Sequence, residues 1–251
     1  MDHWIRHPSE PKELILVWQA PSSVEDRLRW AVGRVKAAPS GFVFDYLEEE
    51  EFRALNEGRN PQELQAAGYA GYPAFDVKKR SADGFRDHVI EALLRRLPPS
   101  TRSDFGDFLA YFRIPSDTKL SPLGLLAATE ARLPGDGFSF IDPLDPMIST
   151  VDVVLEIAGF RHHAPHASPI ALGAQVTLSA ETFNTHDPHA VAMSIGGAKV
   201  GYVNRLQAPS VRKWLEIRSV NGWISRLNGR PDAPRAFAFV EVRPQRSSVA
   251  A

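Results

Sequence analysis

The stretch AVAMSIGGAKVGYVN, residues 190–204, carries the clearest structural signal in this sequence. Two short apolar runs, VAMSI and AKVGY, are separated by the pair Gly196-Gly197. Two adjacent glycines between apolar runs are typical of a tight β-hairpin, because glycine adopts the positive φ angles that such a turn requires. The sequence therefore predicts two antiparallel strands joined at Gly196-Gly197.

Further short strands surround this hairpin on both sides. The predicted strands are VDVVLEIAGF from Val151, AQVTLSAE from Ala174, VNGWISRL from Val220 and AFAFVEVRP from Ala236. One helix is predicted among them, from about Ala208 to Ser219. Several short strands with a single helix favour a small β-barrel of the OB or SH3 type, or a half-open sheet.

The first half of the chain has a different pattern, with strands followed by helices. Apolar runs at Leu14–Trp18, Ala31–Val35 and Phe42–Tyr46 predict a small antiparallel meander. Apolar residues spaced by four from Phe85 to Leu97 predict a helix, and Ser121-Pro122 predicts the capped start of another that runs to about Leu133. Phe105 to Phe112 repeat the helical spacing. The predicted fold class is therefore α+β.

A composition change divides the chain into two predicted domains, residues 1–147 and 148–251. The stretch PGDGFSFIDPLDPMIST, residues 134–150, is rich in Pro, Gly and Asp, which is typical of a boundary. Residues 1–148 carry 18 Lys and Arg against 23 Asp and Glu, whereas residues 149–251 carry 11 against 7. The basic second half favours an anionic partner, and the alternative is an ordinary solvated surface.

Composition and missing motifs exclude several classes of protein. The 251 residues include no cysteine, so disulfides, thiolate nucleophiles and cysteine-based metal sites are excluded. No apolar run approaches the roughly 20 residues needed to span a bilayer, and we expect a cytoplasmic protein without a membrane partner. The GxSxG, Walker A, HExxH and kinase motifs are also missing. These observations favour a protein without catalysis of its own.

Three segments combine cations with flat rings, namely GFRHH (159–163), NTHDPHA (184–190) and KVGYVNR (199–205). The cationic side chains, which can bind phosphates, are those of Arg161, Lys199 and Arg205. The flat rings, which can stack on bases, are those of His162, His163, His186 and Tyr202. Asp187 can accept a hydrogen bond from a sugar hydroxyl. This pattern favours single-stranded nucleic acid, and the alternative is that these residues form an ordinary solvated rim and barrel wall.

The histidines allow a second interpretation, a metal site. Five of the eight histidines lie between His162 and His189. The candidate ligands are His163, His166, His186 and His189, with Asp187 beside them. With zinc, such a site could activate water, as in a metal-dependent hydrolase or nuclease. The spacing lacks the regular i, i+4 geometry of a helical zinc site.

The same three segments resemble the HIRAN domain, a small β-rich module that is fused to DNA-remodelling helicases. The matching pieces are IAGFRHH (157–163), LGAQVTLSAETFNTHDPHAV (172–191) and GGAKVGYVNR (196–205), and the resemblance runs from about Val151 to Pro244. It implies an oligonucleotide-binding barrel that grips single-stranded DNA at its 3′ end.

The resemblance also implies a role for each site residue. Arg161 contacts a phosphate or base, and Arg205 holds backbone phosphate. His162, His163 and His186 occupy stacking positions. Asp187 receives the terminal hydroxyl, and Tyr202 lines the pocket.

This sequence departs from the helicase-fused HIRAN pattern at four positions. Histidines replace the tyrosines at 162, 163 and 186, and Asn204 stands where a second basic residue is frequent. Imidazole has a smaller π surface than phenol and gains charge below about pH 6.5. The departures therefore predict weaker and more acid-sensitive binding.

The first half resembles the N-terminal segment of HipA-like proteins. The pieces WQAP, AVGRV, FVFDYL, GYPAFD and SPLGLLAAT occur in the matching order between about Leu14 and Pro146. In kinase-type HipA proteins the catalytic motifs lie further along the chain, and they do not occur here. The resemblance therefore implies no kinase activity. We expect the acidic first half to contact a partner protein, so a HipA-related regulator that binds proteins is a further alternative.

Overall fold

The chain folds into two compact units, each built on an antiparallel sheet. The computed structural model describes residues 3–21, 28–133, 135–163, 170–230 and 233–245. The four-strand unit comprises Glu10–Phe105 and Leu120–Pro143, and the six-strand unit comprises Met1–Ser9, Gly106–Lys119 and Leu144–Ala251. The α+β class is confirmed. The domain boundary between residues 147 and 148 stays a prediction.

The four-strand sheet has the order β3-β2-β1-β4, with antiparallel pairing throughout. Its strands are β1 (Glu13–Gln19), β2 (Arg29–Ala38), β3 (Gly41–Tyr46) and β4 (Phe138–Ile141). The predicted meander of the first three strands is confirmed. Strand β4 was not predicted, because its four residues are all buried and lie within the turn-rich stretch assigned to the boundary.

The helices are short. In chain order they are α1 (Glu49–Leu55), α2 (Pro61–Ala66), a 3₁₀ helix (Val77–Lys79), α3 (Val89–Leu94), α4 (Phe105–Tyr111), α5 (Pro122–Thr129), α6 (Phe160–His163) and α7 (Ala208–Ile217). The predicted cap is confirmed, since the Ser121 hydroxyl accepts a hydrogen bond from Gly124 N at 3.0 Å. In the described part of the chain, every helix is too short or too polar to cross a membrane.

Two predicted helices were longer than the observed ones, and the first, expected over residues 85–97, spans only Val89–Leu94. The helix expected from Phe85 starts only at Val89, because the backbone of Phe85 pairs with Phe44 at N···O distances of 2.8 and 3.0 Å. His88 then adopts a left-handed conformation. The helix expected to reach Leu133 ends at Thr129, where Glu130 turns left-handed and its carbonyl accepts a hydrogen bond from Phe140 in β4. In both cases, backbone groups that a longer helix would hydrogen-bond internally are hydrogen-bonded to a β-strand instead.

The six-strand sheet has the order β5-β10-β9-β6-β7-β8, again with antiparallel pairs. Its strands are β5 (Val151–Glu156), β6 (Gln175–Ala180), β7 (Val191–Ile195), β8 (Ala198–Tyr202), β9 (Arg218–Arg230) and β10 (Ala233–Pro244). The hairpin at Gly196-Gly197 is confirmed, with φ angles of 56° and 85°. Helix α7 buries Val211 and Trp214 in the core of this unit.

A single bridge joins the two outer strands of this sheet. Ala158, two residues after β5, exchanges backbone hydrogen bonds with Tyr202 at the end of β8, at N···O distances of 2.8 and 2.9 Å. Gly201 makes this approach possible, because a Cβ there would lie 2.4 Å from the Ala158 carbonyl oxygen. The described residues contain this bridge but no ladder between β5 and β8. A closed barrel is therefore not shown, and within the described residues the outer strands meet at this bridge.

Two segments that lie far from β5 in sequence belong to the six-strand unit. The buried carboxylate of Asp152 accepts hydrogen bonds from the backbone N–H groups of Arg6 and His7, both at 2.9 Å. The Arg226 guanidinium lies 4.4 Å from the ring centroid of Tyr111 and donates to its carbonyl at 2.9 Å. Hydrogen bonds to the buried Asp152 carboxylate and a cation–π contact therefore hold residues 3–9 and 106–119 to the sheet.

Substitution at Gly201 tests the importance of the bridge. We expect Gly201→Ala to lower the free energy of unfolding by roughly 1–3 kcal/mol, because the added methyl group collides with Ala158 and the φ of 147° disfavours an L side chain. Gly196→Asn is the matched control and should change stability by less than about 1 kcal/mol, since Asn suits this hairpin turn. Urea unfolding of both variants provides the measurement, and equal stabilities would contradict the role given to Gly201.

Candidate nucleic-acid interface

The predicted site residues lie on three neighbouring pieces of the six-strand unit. These are α6, the connection between β6 and β7 (residues 181–190, called the β6–β7 loop) and the end of β8 with the residues that follow it. The bridge between Ala158 and Tyr202 brings the first and third pieces together, because α6 starts two residues after Ala158. We call these three pieces the ring–cation surface.

Helix α6 presents three consecutive polar side chains. Phe160 is buried and anchors the helix, whereas Arg161 and His162 are exposed. The Arg161 Nε donates to His162 Nε2 at 2.9 Å. His163 is half-buried, and its ring meets the Tyr202 ring edge to face, with centroids 6.0 Å apart. A histidine of the first segment therefore lies against Tyr202 of the third segment.

Lys199, Tyr202 and Glu181 form a polar network beside this ring pair. The Lys199 ammonium forms an ion pair with Glu181, donates to the Tyr202 hydroxyl oxygen at 2.8 Å and lies 4.8 Å from the Tyr202 ring centroid. The Tyr202 hydroxyl donates to Glu181 Oε2 at 3.4 Å. The side-chain amide of Asn184 donates to the same oxygen at 2.9 Å. The network thus links β8 to the β6–β7 loop.

These contacts shift the pKa values of Glu181 and Lys199, in each case in the direction that favours the charged form. The hydrogen bond from Lys199, followed by that from Asn184, holds the pKa of Glu181 below its ordinary value. The hydrogen bond to Glu181, followed by that to Tyr202, raises the pKa of Lys199. The pair therefore stays charged across the neutral range. One consequence is that the positive charge of Lys199 is already compensated by a carboxylate.

Backbone hydrogen bonds to side chains fix the β6–β7 loop. Asn184 Oδ1 accepts from the N–H groups of His186 at 2.9 Å and Asp187 at 3.0 Å. Asp187 Oδ1 accepts from His189 N at 2.7 Å. From α7, Arg212 donates to the Pro188 carbonyl at 2.6 Å. His186 is exposed and Asp187 is half-buried, so the loop holds both residues at the surface on a pinned backbone.

Of the residues that follow β8, Asn204 is buried and Arg205 is partly exposed. Asn204 is buried, its Oδ1 accepts from Leu206 N at 3.0 Å, and its carbonyl accepts from the N–H groups of Gln207 and Ala208 at the start of α7. The Asn204 side chain therefore shapes the turn into the helix, a role that a basic side chain could not fill. Arg205 is half-buried beside it.

Sequence reasoning found part of this surface and missed part of it. It named His163 and Tyr202, which are in contact, and Arg161 and His162, which lie beside them. It missed Glu181, although a carboxylate at the end of one predicted strand and Lys199 in the hairpin were visible in the sequence. Their meeting depends on the register of β6, β7 and β8, which the pattern of apolar residues does not specify.

The metal interpretation gains no support from the described residues. No group of three or more His, Asp or Glu side chains among them lies close enough together to hold a metal ion. His163, His186 and His189 are therefore not gathered into such a group, and His166 lies outside the described residues. The zinc-dependent hydrolase stays an unsupported prediction.

Comparisons with known proteins give limited similarity. No protein-family model matches the sequence, and no curated protein matches it either. Similar solved structures include the HIRAN domain of human HLTF, with 15% identity and a TM-score of 0.32 over 36% of this chain and 74% of that one. A protein from Lactobacillus plantarum has 17% identity and a TM-score of 0.31 over 38% of this chain and 93% of that one. The HipA resemblance stays a prediction.

Removal of the Lys199 ammonium tests the network. We expect Lys199→Met to raise the pKa of Glu181 toward the ordinary value of about 4.3, because the largest cause of its depression is removed. Carbon-detected NMR titration of the glutamate carboxyls provides the measurement. Stability should fall by at most about 1 kcal/mol, since the pair is partly exposed, and this contribution is lost as the pH falls through the Glu181 pKa.

The matched control for this titration is Lys213→Met. Lys213 pairs with Glu216 at 2.9 Å on α7 and holds the pKa of that carboxyl below its ordinary value. The control should therefore move the titration of Glu216 and leave Glu181 unchanged. An unchanged Glu181 titration in Lys199→Met would contradict the ion pair.

Proposed function

We propose that this protein binds single-stranded nucleic acid, and DNA in particular, through the ring–cation surface. The observation that carries the proposal is the contact between His163 and Tyr202 beside the exposed Arg161 and His162. Rings offer stacking faces to any base, and guanidinium groups bind phosphate by paired charge-assisted hydrogen bonds. The excess of basic residues in the second half of the chain supports an anionic ligand.

The proposal assigns binding, and no chemical step, to this surface. Tyr202 lines the pocket for a base, while His162, His163 and His186 provide flat faces for neighbouring bases. Arg161 and Arg205 hold phosphates along the strand. Lys199 acts through its position over the Tyr202 ring, because Glu181 already compensates its charge. The order and spacing of the HIRAN-like motifs in the sequence agree with this division of roles.

The finer part of the proposal is recognition of a 3′ end by Asp187. One carboxylate oxygen, Oδ1, accepts from His189 N and so fixes the orientation of the group. The second oxygen can accept a hydrogen bond from a terminal hydroxyl. A terminal phosphate in the same place would be repelled by the carboxylate, so the site distinguishes the two kinds of end.

Loss of two arginines tests the phosphate contacts. We expect Arg161→Ala/Arg205→Ala to abolish binding of a labelled single strand at moderate salt and to leave the fold intact. At low salt, any remaining binding should have a log–log salt slope that is less negative by about 0.7 for each contact removed. Fluorescence anisotropy at two salt concentrations gives both quantities.

A charge-matched control separates a defined site from general electrostatic attraction. Lys78→Ala/Lys79→Ala also removes two positive charges, from exposed positions in the four-strand unit. This variant should bind with nearly the wild-type affinity. If both double variants lose affinity equally, the surface proposed here is misplaced; if the wild type binds no strand at low salt, the function itself is wrong.

Strands with different ends test the role of Asp187. We expect the wild type to prefer a strand with a free 3′ hydroxyl over the same strand with a 3′ phosphate. Asp187→Asn should lose this preference, because it keeps an acceptor for His189 N but removes the negative charge that repels phosphate. Addition of a 5′ phosphate to the strand with a free 3′ hydroxyl serves as control and should leave the affinity of each protein unchanged. A wild type that ignores the 3′ group would refute end recognition and leave general strand binding standing.

A further inference from the structure

The side chain of Phe183 lies almost entirely in water. It is 95% exposed, compared with 62% for Leu172 and 61% for Met147, the next most exposed large apolar residues in the described part of the chain. A phenyl ring with so little protein contact contributes almost nothing to the core. Burial of apolar surface therefore does not explain why an aromatic residue occupies this position.

The backbone that carries Phe183 is nevertheless fixed. Its neighbour Asn184 accepts two backbone hydrogen bonds from the loop and donates to Glu181, whose own N–H donates to the Ala190 carbonyl at 2.9 Å. Both sides of Phe183 are thus held by directed contacts. A ring on a fixed backbone loses less conformational entropy on binding than a ring on a free loop.

The position of Phe183 connects it to the ring–cation surface. Asn184 and the Tyr202 hydroxyl donate to the same oxygen of Glu181, at 2.9 and 3.4 Å. Phe183 is therefore the immediate sequence neighbour of Asn184, a member of the network that holds Tyr202. The exposed ring and the packed ring pair belong to the same hydrogen-bonded part of the molecule.

The polar surroundings of Phe183 indicate what covers it. Its neighbours in the loop are Thr182 and Asn184, and His186 and Asp187 follow shortly after. A protein-docking site needs a contiguous apolar patch, whereas stacking needs only one accessible π face beside groups that hold the phosphates. A lone ring in polar surroundings fits a nucleobase better than an apolar protein surface.

We infer that Phe183 is a stacking platform for an unpaired base of the bound strand. This inference rests on the proposed function and adds a residue that neither the motif pattern nor the HIRAN resemblance assigns. Phe183 acts on the bases and Arg161 on the phosphates, so each contributes to affinity through a different part of the ligand.

The test uses two strands of equal length and charge, one with normal bases and one made abasic. We expect Phe183→Ala to weaken binding of the normal strand roughly 5- to 140-fold, which corresponds to about 1–3 kcal/mol for one base stacked on an aromatic ring. Binding of the abasic strand should be weaker in the wild type and unchanged by Phe183→Ala, because no base is present to stack.

Three further variants provide the controls. Phe183→Trp should keep or improve the affinity for the normal strand, while Phe183→Leu should lose most of it despite being apolar. Val77→Ala removes another exposed apolar side chain, 52% exposed and located in the four-strand unit, and should have no effect. Because the Phe183 ring is exposed, all Phe183 variants should melt at the wild-type temperature.

The possible outcomes separate this inference from the proposed function. If the wild type binds neither strand, strand binding fails and the inference with it. If the wild type binds the normal strand and Phe183→Ala binds it equally well, only the stacking role is wrong. Equal weakening of both strands by Phe183→Ala would also overturn the inference, since the ring would then act on the sugar–phosphate chain or through the loop.

Discussion

The bridge between Ala158 and Tyr202 is the constraint on which the candidate surface depends. It joins the outer strands of a six-strand sheet at one point, and it does so because Gly201 has no side chain to collide with the Ala158 carbonyl. Helix α6 starts two residues beyond the bridge, so its histidines meet Tyr202. This pair of backbone hydrogen bonds therefore brings the first and third motif segments together.

The cations of the ring–cation surface differ in whether a carboxylate compensates their charge. Lys199, which the sequence presents as a free cation, is paired with Glu181 and packed over Tyr202, whereas Arg161 is exposed beside His162. Cationic side chains of this surface therefore have two roles, Lys199 in positioning a ring and Arg161 in presenting charge. Glu181 also holds Asn184, and through it the β6–β7 loop, so a single carboxylate organises two of the three pieces.

Several residues of the candidate site could be predicted from the sequence, but their spatial arrangement could not. The residues His163, Tyr202 and Arg161 stand out in the sequence because rings and cations cluster in three segments. The carboxylate that organises them, Glu181, and the exposed ring, Phe183, do not stand out, because neither belongs to a recognisable pattern. Their importance follows from strand register and from exposure, which are properties of the folded chain.

Local chemistry in the sequence determined the meander of β1 to β3, the hairpin at Gly196-Gly197, the cap at Ser121 and helix α7, because each depends on neighbouring residues alone. Tertiary structure decided the rest. Phe85 is spaced for a helix but pairs with Phe44, β4 joins the sheet from a turn-rich stretch, and residues 3–9 and 106–119 pack with the six-strand sheet. In each case a backbone group or charge finds its partner far along the chain, and no local pattern encodes such a distance.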